Sequence, residues 1–224
     1  GMNDWMVPKL TWDDTYQPDR GKVLSAAELD AAKHFYRYYD HDGDGIPQRS
    51  LPGVHPKGAY FTRGSGHTQL GTYTEDSAEY QIVLDRLTRK FQTAKKYMPR
   101  PVIEQDPHND IAIVSIGSSD GAVHEALDIL RARGVSLNYM RVRAFPFSEE
   151  VEKFLADHKL LFVVEQNRDA QLRSLLTLET RVPKEKLRSL LHYSGLPVSS
   201  KFIVDGVLGE FGEGRRASLA GVQS

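Results

Sequence analysis

The residues of this chain best placed for chemistry are its clustered carboxylates, a run of arginines and histidines, and one glutamate at the end of an apolar strand pattern. Asp40, Asp42 and Asp44 stand at alternate positions before Gly45, as in the first half of a calcium loop. Three carboxylates so spaced can face one hard cation, with glycine permitting the sharp turn. Counted from Asp40, the twelfth position holds Leu51 where a calcium loop has a bidentate glutamate, and Pro47 interrupts the path. A polar turn closing the preceding helix is the competing reading, so both stay open. Arg49, His55, Lys57, Arg63 and His67 gather positive or titratable groups in the next stretch. An arginine there can hold a carboxylate in bidentate fashion. Glu165 ends an apolar run, where burial can raise a carboxylate's pKa and suit it to acid–base work. Nothing in the sequence supplies its proton-transfer partner. The alternative is that Glu165 and Asn167 hydrogen-bond local backbone or a partner chain. Arg141, Arg143 and Arg168 mark the same edge, and no triad order, zincin helix or nucleophile elbow is present.

Two glycine runs invite a nucleotide reading. Gly64-Ser65-Gly66 has Gln69 where a dinucleotide fingerprint needs glycine, and no helix opens after it. Gly117-Ser118-Ser119-Asp120-Gly121 does follow an apolar strand and open a helix, so its backbone N–H groups can meet an anion. It lacks a P-loop lysine, and an empty strand-to-helix turn is the plainer reading.

The elements that position these groups fall into two grammars. Residues 1–105 read as a helical, loop-rich segment. Ser25 and Glu28 form a capping box for a first helix whose apolar face continues through Leu29, Ala32, Tyr36 and Tyr39. A second helix follows Thr74-Glu75-Asp76-Ser77, with Tyr80, Val83, Leu84, Leu87, Phe91 and Ala94 as one stripe and Pro99 and Pro101 as its stop. Between them, Asp40–Thr72 carries seven glycines and three prolines; a loop this long is commonly functional or covers a partner surface.

Residues 106–211 alternate strand and helix. Strands are expected at Ile111–Ile116, Val135–Val142, Leu160–Val164 and Leu187–Tyr193. Asp120, Ser148 and Ser199 or Ser200 are the expected helix caps, and Gly134 the stop of the first helix. Such alternation predicts an α/β domain: an open, mostly parallel sheet with helices on both faces. Residues 212–224 read as a flexible tail.

Composition bounds the rest. The 224 residues carry 29 basic and 30 acidic side chains, a balance that gives no electrostatic reason to bind nucleic acid or an anionic membrane. No apolar run is long enough for a membrane span, and no export signal opens the chain, so a cytoplasmic home is the expectation. There is no cysteine, which excludes a thiolate-held iron–sulfur cluster, a disulfide and a cysteine nucleophile on this polypeptide. Gly1 before Met2 reads as an expression remnant.

Several long, ordered stretches resemble one family. Asp44-Gly45-Ile46-Pro47-Gln48-Arg49, Leu51-Pro52-Gly53, Gly58 through His67 and Tyr73-Thr74-Glu75-Asp76 are similar to the alpha subunit of 2-oxoacid:ferredoxin oxidoreductases, closest to the 2-oxoglutarate type. So are Gly117-Ser118-Ser119, Arg143 through Phe147, Val164 through Asp169 and Gln171-Leu172-Arg173. The resemblance implies a thiamine diphosphate enzyme that oxidatively decarboxylates a 2-oxoacid with coenzyme A, giving acyl-CoA, carbon dioxide and reduced ferredoxin. It implies that a beta subunit carries the diphosphate, its magnesium and an iron–sulfur cluster, so that this chain binds no cofactor alone. It further implies that residues 1–105 trail a pyrimidine-binding domain and that residues 106–211 form a domain like the C-terminal one of transketolase. The family's Tyr-Pro-Ile-Thr-Pro-like signature is absent here. The chain is therefore expected to be the C-terminal part of a longer subunit, inactive alone, with the beta subunit and, through the complex, ferredoxin as partners. Self-association into a homo-oligomer through uncovered apolar surface is a further expectation. No catalytic residue carries over. Arg49 and Arg63 are the candidates for a substrate carboxylate. Phe145, Phe147, Glu165, Asn167 and Arg168 are the candidates for an interface or sheet-edge role. A free-standing Rossmann-like module for a nucleotide or a metal is the alternative.

Overall fold

The computed structural model describes residues 11–220, with side chains given through Phe211; the Gly1-Met2 start and the last four residues of the expected tail lie outside them. The chain divides into two compact units, with the division between Tyr97 and Met98.

In the first unit, helix α1 (Ala26–Ala31) opens on the expected capping box, with both reciprocal Ser25–Glu28 bonds formed. It is shorter than the sequence suggests. Ala32 is already extended, and the Lys57 ammonium takes the terminal carbonyls of Asp30 and Ala32 at 2.6 and 3.1 Å. Tyr36 and Tyr39 thus belong to turns beyond the helix. Helix α2 (Ser77–Ala94) starts where Asp76 accepts from the N–H groups of Ala78 and Glu79. Its expected apolar stripe is only partly its buried face: Val83 of that stripe is buried beside Arg86, and Leu87 and Ala94 are half-buried, whereas Tyr80, Leu84 and Phe91 are exposed. The glycine-rich loop packs on that buried face. Gly45 has φ +82°, and a Cβ there would lie 2.3 Å from the Lys90 amide nitrogen, so only glycine allows the approach. Arg86 Nη1 donates to the Gly45 carbonyl at 2.9 Å and Thr93 Oγ1 to the Asp44 carbonyl at 2.5 Å.

The second unit is the expected α/β layer. Its strands are β1 (Val102–Glu104), β2 (Ile111–Ile116), β3 (Asn138–Val142), β4 (Leu160–Glu165) and β5 (Leu187–Leu191), in the order β1-β3-β2-β4-β5. β2, β3, β4 and β5 pair in parallel; β1 joins β3 antiparallel, Ile103 opposite Met140. The sequence reading missed β1, which belongs to the sheet although it precedes residue 106. Helices α3 (Asp120–Ala132), α4 (Glu149–Asp157), α5 (Gln171–Glu179) and α6 (Ser200–Ala220) complete the unit. Alternation along each strand feeds two cores. Ala112, Val114, Met140, Leu161 and Val163 meet Val151, Phe154 and Leu155 of α4 and Leu172 and Leu176 of α5. Ile113, Tyr139, Phe162 and Val164 meet Val123, Ala126, Leu127 and Leu130 of α3 and Ile203, Val204, Val207 and Phe211 of α6. Interior strands buried on both sides read as unbroken apolar runs, as β4 does.

Two details of the sequence reading change. Asp120 is the first residue of α3, and its N-cap position is Ser119, reached through a tight turn at Gly117–Ser119. The helix assigned as α6 runs to Ala220, past the expected domain end at residue 211. Among the described residues, no helix is long and apolar enough to cross a membrane.

Candidate functional site

The order in which successive strands are laid down reverses at the parallel β2–β4 pair: β3 lies to one side of β2 and β4 to the other. In open α/β sheets the carboxyl ends of such a pair form the usual ligand crevice. Here β2 ends in Ile116-Gly117-Ser118-Ser119 and β4 in Glu165-Gln166-Asn167. The Gln166 amide spans the gap, with Nε2 3.4 Å from both the Ser118 and Ser119 hydroxyls and Oε1 accepting from the Val198 N–H at 3.3 Å.

Glu165 is buried, only 2% exposed, and its carboxylate caps a helix. α5 is preceded by Ala170 in the left-handed region at φ 51°, a residue with no side-chain acceptor. The first four N–H groups of a helix need outside partners. Glu165 Oε2 accepts from the Leu172 N–H at 2.6 Å and Oε1 from the Arg173 N–H at 3.1 Å. Asn167 Oδ1 accepts from Gln171 N–H at 3.3 Å, the Ala170 carbonyl takes Ser174 N–H at 2.9 Å, and Asn167 Nδ2 donates to Glu165 at 2.8 Å. The Gln171, Leu172 and Arg173 N–H groups are thus met by side chains, and Ser174 makes the first bond within the helix. Arg168 is exposed and pairs with Asp169 at 2.8 Å. Phe147 is in the core, Phe145 is 43% exposed, and their rings meet edge-on at 5.4 Å.

A second polar network at the β2–β3 end was not foreseen. The Tyr139 hydroxyl lies 2.7 Å from Ser115 Oγ and donates to Asp120 Oδ1 at 2.8 Å; Arg141 Nη1 donates to Asp120 Oδ2 at 2.7 Å. Burial raises the Tyr139 pKa well above the usual phenol range, keeping it a neutral donor. His124 Nε2 lies 2.7 Å from the Glu104 carboxylate, and Nδ1 3.0 Å from the Asp120 carbonyl. Both ring nitrogens therefore face acceptors, an arrangement only the imidazolium satisfies. The Glu104 hydrogen bond accordingly raises its pKa above 6.5. The network ties β1, α3 and β3 together, and its sequence signal was slight: a tyrosine and an arginine two apart on one strand.

In the first unit, Asp40, Asp42 and Asp44 do converge, their nearest oxygens within 4.8 Å of one another. The positive charge among them belongs to the protein. Lys22 Nζ lies 2.6 Å from Asp42 Oδ1, 2.7 Å from Asp44 Oδ1 and 2.9 Å from the Ile46 carbonyl. Asp40 instead accepts from the Gly43 and Gly45 N–H groups at 3.0 Å each. Burial would lower the Lys22 pKa, but the bonds to Asp42 and Asp44 outweigh it and hold it raised. Lys22 lies some twenty residues upstream and gives no local signal. Arg49 bonds the Arg20 carbonyl at 2.7 Å and lines a recess with Arg20, Arg37 and Arg86. Arg63 is exposed and does not line that recess.

Comparison with known proteins gives the lineage. Residues 109–194, the α/β layer, match the family model for pyruvate:ferredoxin oxidoreductase core domain II. Subunit alpha of 2-oxoacid:ferredoxin oxidoreductase 2 from Aeropyrum pernix is 31% identical over 186 residues, covering 81% of this chain and 27% of that protein. The chain belongs to the 2-oxoacid:ferredoxin oxidoreductase alpha-subunit family. The alpha subunit from Saccharolobus solfataricus is 25% identical over 217 residues, covering 94% of this chain and 33% of that one. Among solved structures, the 2-oxoglutarate:ferredoxin oxidoreductase of Magnetococcus marinus shares the fold, with a TM-score of 0.70 at 24% identity over 81% of this chain and 31% of that chain. This alpha-subunit chain thus spans about a third or less of the length of these relatives.

Proposed function

We propose that the chain is the C-terminal part of the alpha subunit of a thiamine-diphosphate-dependent 2-oxoacid:ferredoxin oxidoreductase, with 2-oxoglutarate as the oxoacid. Its role is to build a subunit interface and one wall of the active-site cleft, while a beta subunit holds the cofactor. The observation that carries this reading is the disposition of apolar surface in residues 11–97. Leu29 and Val83 are the buried hydrophobic side chains there among the described residues, whereas fourteen large hydrophobics are exposed, Phe61 at 84% and Trp12 at 85%. A segment so constructed fits a place against another polypeptide. The carboxylate cluster does not fit the magnesium of a diphosphate, because the Lys22 ammonium lies among its oxygens. The chain's own part is thus to position and to exclude water, with Arg49 and Arg63 as candidates for the oxoacid carboxylate.

The test is co-expression of the full-length alpha chain, and separately of this chain, with the matching beta subunit. Activity is read as coenzyme-A-dependent dye reduction with 2-oxoglutarate and with pyruvate. Full-length complex should turn over 2-oxoglutarate faster than pyruvate, and this chain alone should not turn over either. Turnover by this chain without a beta subunit overturns the proposal.

A further inference from the structure

Helix α2 carries a pattern that its own packing leaves unused. Tyr80, Leu84, Leu87, Phe91 and Ala94 follow one another at steps of four, three, four and three residues, the spacing of a seam between two helices. The glycine-rich loop lies beside this seam and not on it: it meets Arg86, the Lys90 amide and Thr93. Tyr80, Leu84 and Phe91 therefore stay exposed, with Leu87 and Ala94 half-buried along the border. All of these residues lie within the first unit. Single apolar side chains scattered over a surface are ordinary, whereas a continuous row marks a contact surface.

The charges point to what covers the row. From Glu75 to Asp85 the cap and helix hold four acids and no base; from Arg86 to Lys96 the helix and the turn after it hold five bases and no acid. Such an order suits the dipole of a single helix. It also makes the helix complementary to a reversed copy of itself. A parallel pair sets acid on acid and base on base, whereas an antiparallel pair sets each acidic half on a basic half and opposes the two dipoles. The apolar row fits the same orientation. With two α2 helices overlapped along their full length, Tyr80 meets Phe91 of the second copy and Leu84 meets its Leu87, each contact occurring twice. Ser77 then meets Ala94 in a small end layer, and Glu75 comes opposite Lys96.

We propose that two copies of this chain associate through α2, antiparallel about a two-fold axis between Asp85 and Arg86, with Tyr80, Leu84, Leu87 and Phe91 as the seam. Such a contact uses the same patch on both copies, so it closes at two and does not propagate. Eighteen residues of helix give a seam about 27 Å long. That is short beside the roughly 1,200–2,000 Å² of stable interfaces, so the expected Kd is about 10–100 µM. The contact is argued from the charges and spacing of one helix and does not rest on the oxidoreductase reading.

The test is sedimentation equilibrium of this chain without a beta subunit, over about 1–500 µM. A reversible monomer–dimer equilibrium is expected, weakening as salt is raised. Leu84→Lys and Phe91→Ser should each weaken it about tenfold, with an unchanged far-ultraviolet circular dichroism spectrum, because both side chains are exposed in the single chain. Glu75→Lys and Lys96→Glu should each weaken it about threefold, and the two changes in one chain should restore it. If an apolar variant does not fold, the charge variants decide. A chain that stays monomeric throughout, a dimer that both apolar variants leave intact, or a doubly reversed chain no tighter than the single reversals overturns the proposal. A monomeric chain that captures the beta subunit, and loses that capture with Leu84→Lys, gives the face to the beta subunit and overturns it as well.

Discussion

Glu165 is the residue whose replacement best separates a structural carboxylate from a chemical one. Its side chain is buried, 2% exposed, and takes two backbone N–H donors at 2.6 and 3.1 Å at the start of α5. Hydrogen bonds to a charged acceptor contribute about 1.5–3 kcal/mol each. Glu165→Ala removes both acceptors and leaves the buried Leu172 N–H unreached by water; the expected loss is about 3–5 kcal/mol, at the upper end of single substitutions. Glu165→Gln keeps one oxygen for Leu172 but turns an NH₂ toward Arg173 N–H, so one bond is lost, about 1.5–3 kcal/mol. Urea unfolding followed by circular dichroism gives both values, and amide exchange at Leu172 and Arg173 localises the effect. A cost below about 1 kcal/mol for Glu165→Ala, typical of a surface position, refutes the capping argument. Loss of activity at full stability in the assembled enzyme would return Glu165 to the acid–base reading.

Three further perturbations follow from the same geometry. Lys22→Met removes the ammonium between Asp42 and Asp44 and should cost about 1–2 kcal/mol; thermal unfolding should show calcium rescuing the variant more than the parent, and stoichiometric calcium uptake by the parent would refute the assignment. Gly45→Ala places a Cβ 2.3 Å from the Lys90 nitrogen at φ +82°, so a loss above about 2 kcal/mol is expected by thermal denaturation, and a neutral result would deny the close approach. The His124 pKa is raised above 6.5 by the Glu104 hydrogen bond, with help from Asp120 and against burial. Its stabilising contribution is thus complete below pH 6.5 and lost as pH rises through the raised folded value. Both partners are about half exposed, which keeps the effect within the ~0–1 kcal/mol of surface pairs. Nuclear magnetic resonance titration should show Glu104→Gln bringing the midpoint down, and an unmoved midpoint would count against the pairing.

The α/β layer was legible because its signals are local. Apolar runs of strand length alternate with amphipathic helices, and Gly134 takes the positive φ that ends α3. Where partners are distant in sequence, legibility fails. β1 has three residues and exists by pairing with β3. The apolar spacing of Tyr36 and Tyr39 continued past the point where Lys57 ends α1. The stripe of α2 was read correctly as helix but too wide on one side, and Arg86, which shares the buried face with Val83 and Leu87, was passed over because it looked like a solvent residue. The family likeness named Arg49, yet the charge pattern around it arises from Arg20, Arg37, Arg86 and Lys90, which a loop and a helix bring together. Glu165 was placed at a strand end from its neighbours, but its work as a cap depends on Ala170, whose left-handed backbone no propensity predicts.

The two units are ordered by different forces, and that difference bears on what the chain is for. The α/β layer holds 28 of the 30 buried hydrophobic side chains among the described residues, enough apolar burial to fix a parallel sheet on both faces. Residues 11–97 are ordered mainly by polar pins: Lys22 among Asp42 and Asp44, Lys57 on the end of α1, Arg86 and Thr93 on the glycine-rich loop, Asp40 across two amides. Each pin directs geometry well but contributes little net stability in water. Where the proposed interface forms, the exposed Tyr60, Phe61, Leu84 and Phe91 are the apolar surface whose burial would stabilise this segment on assembly.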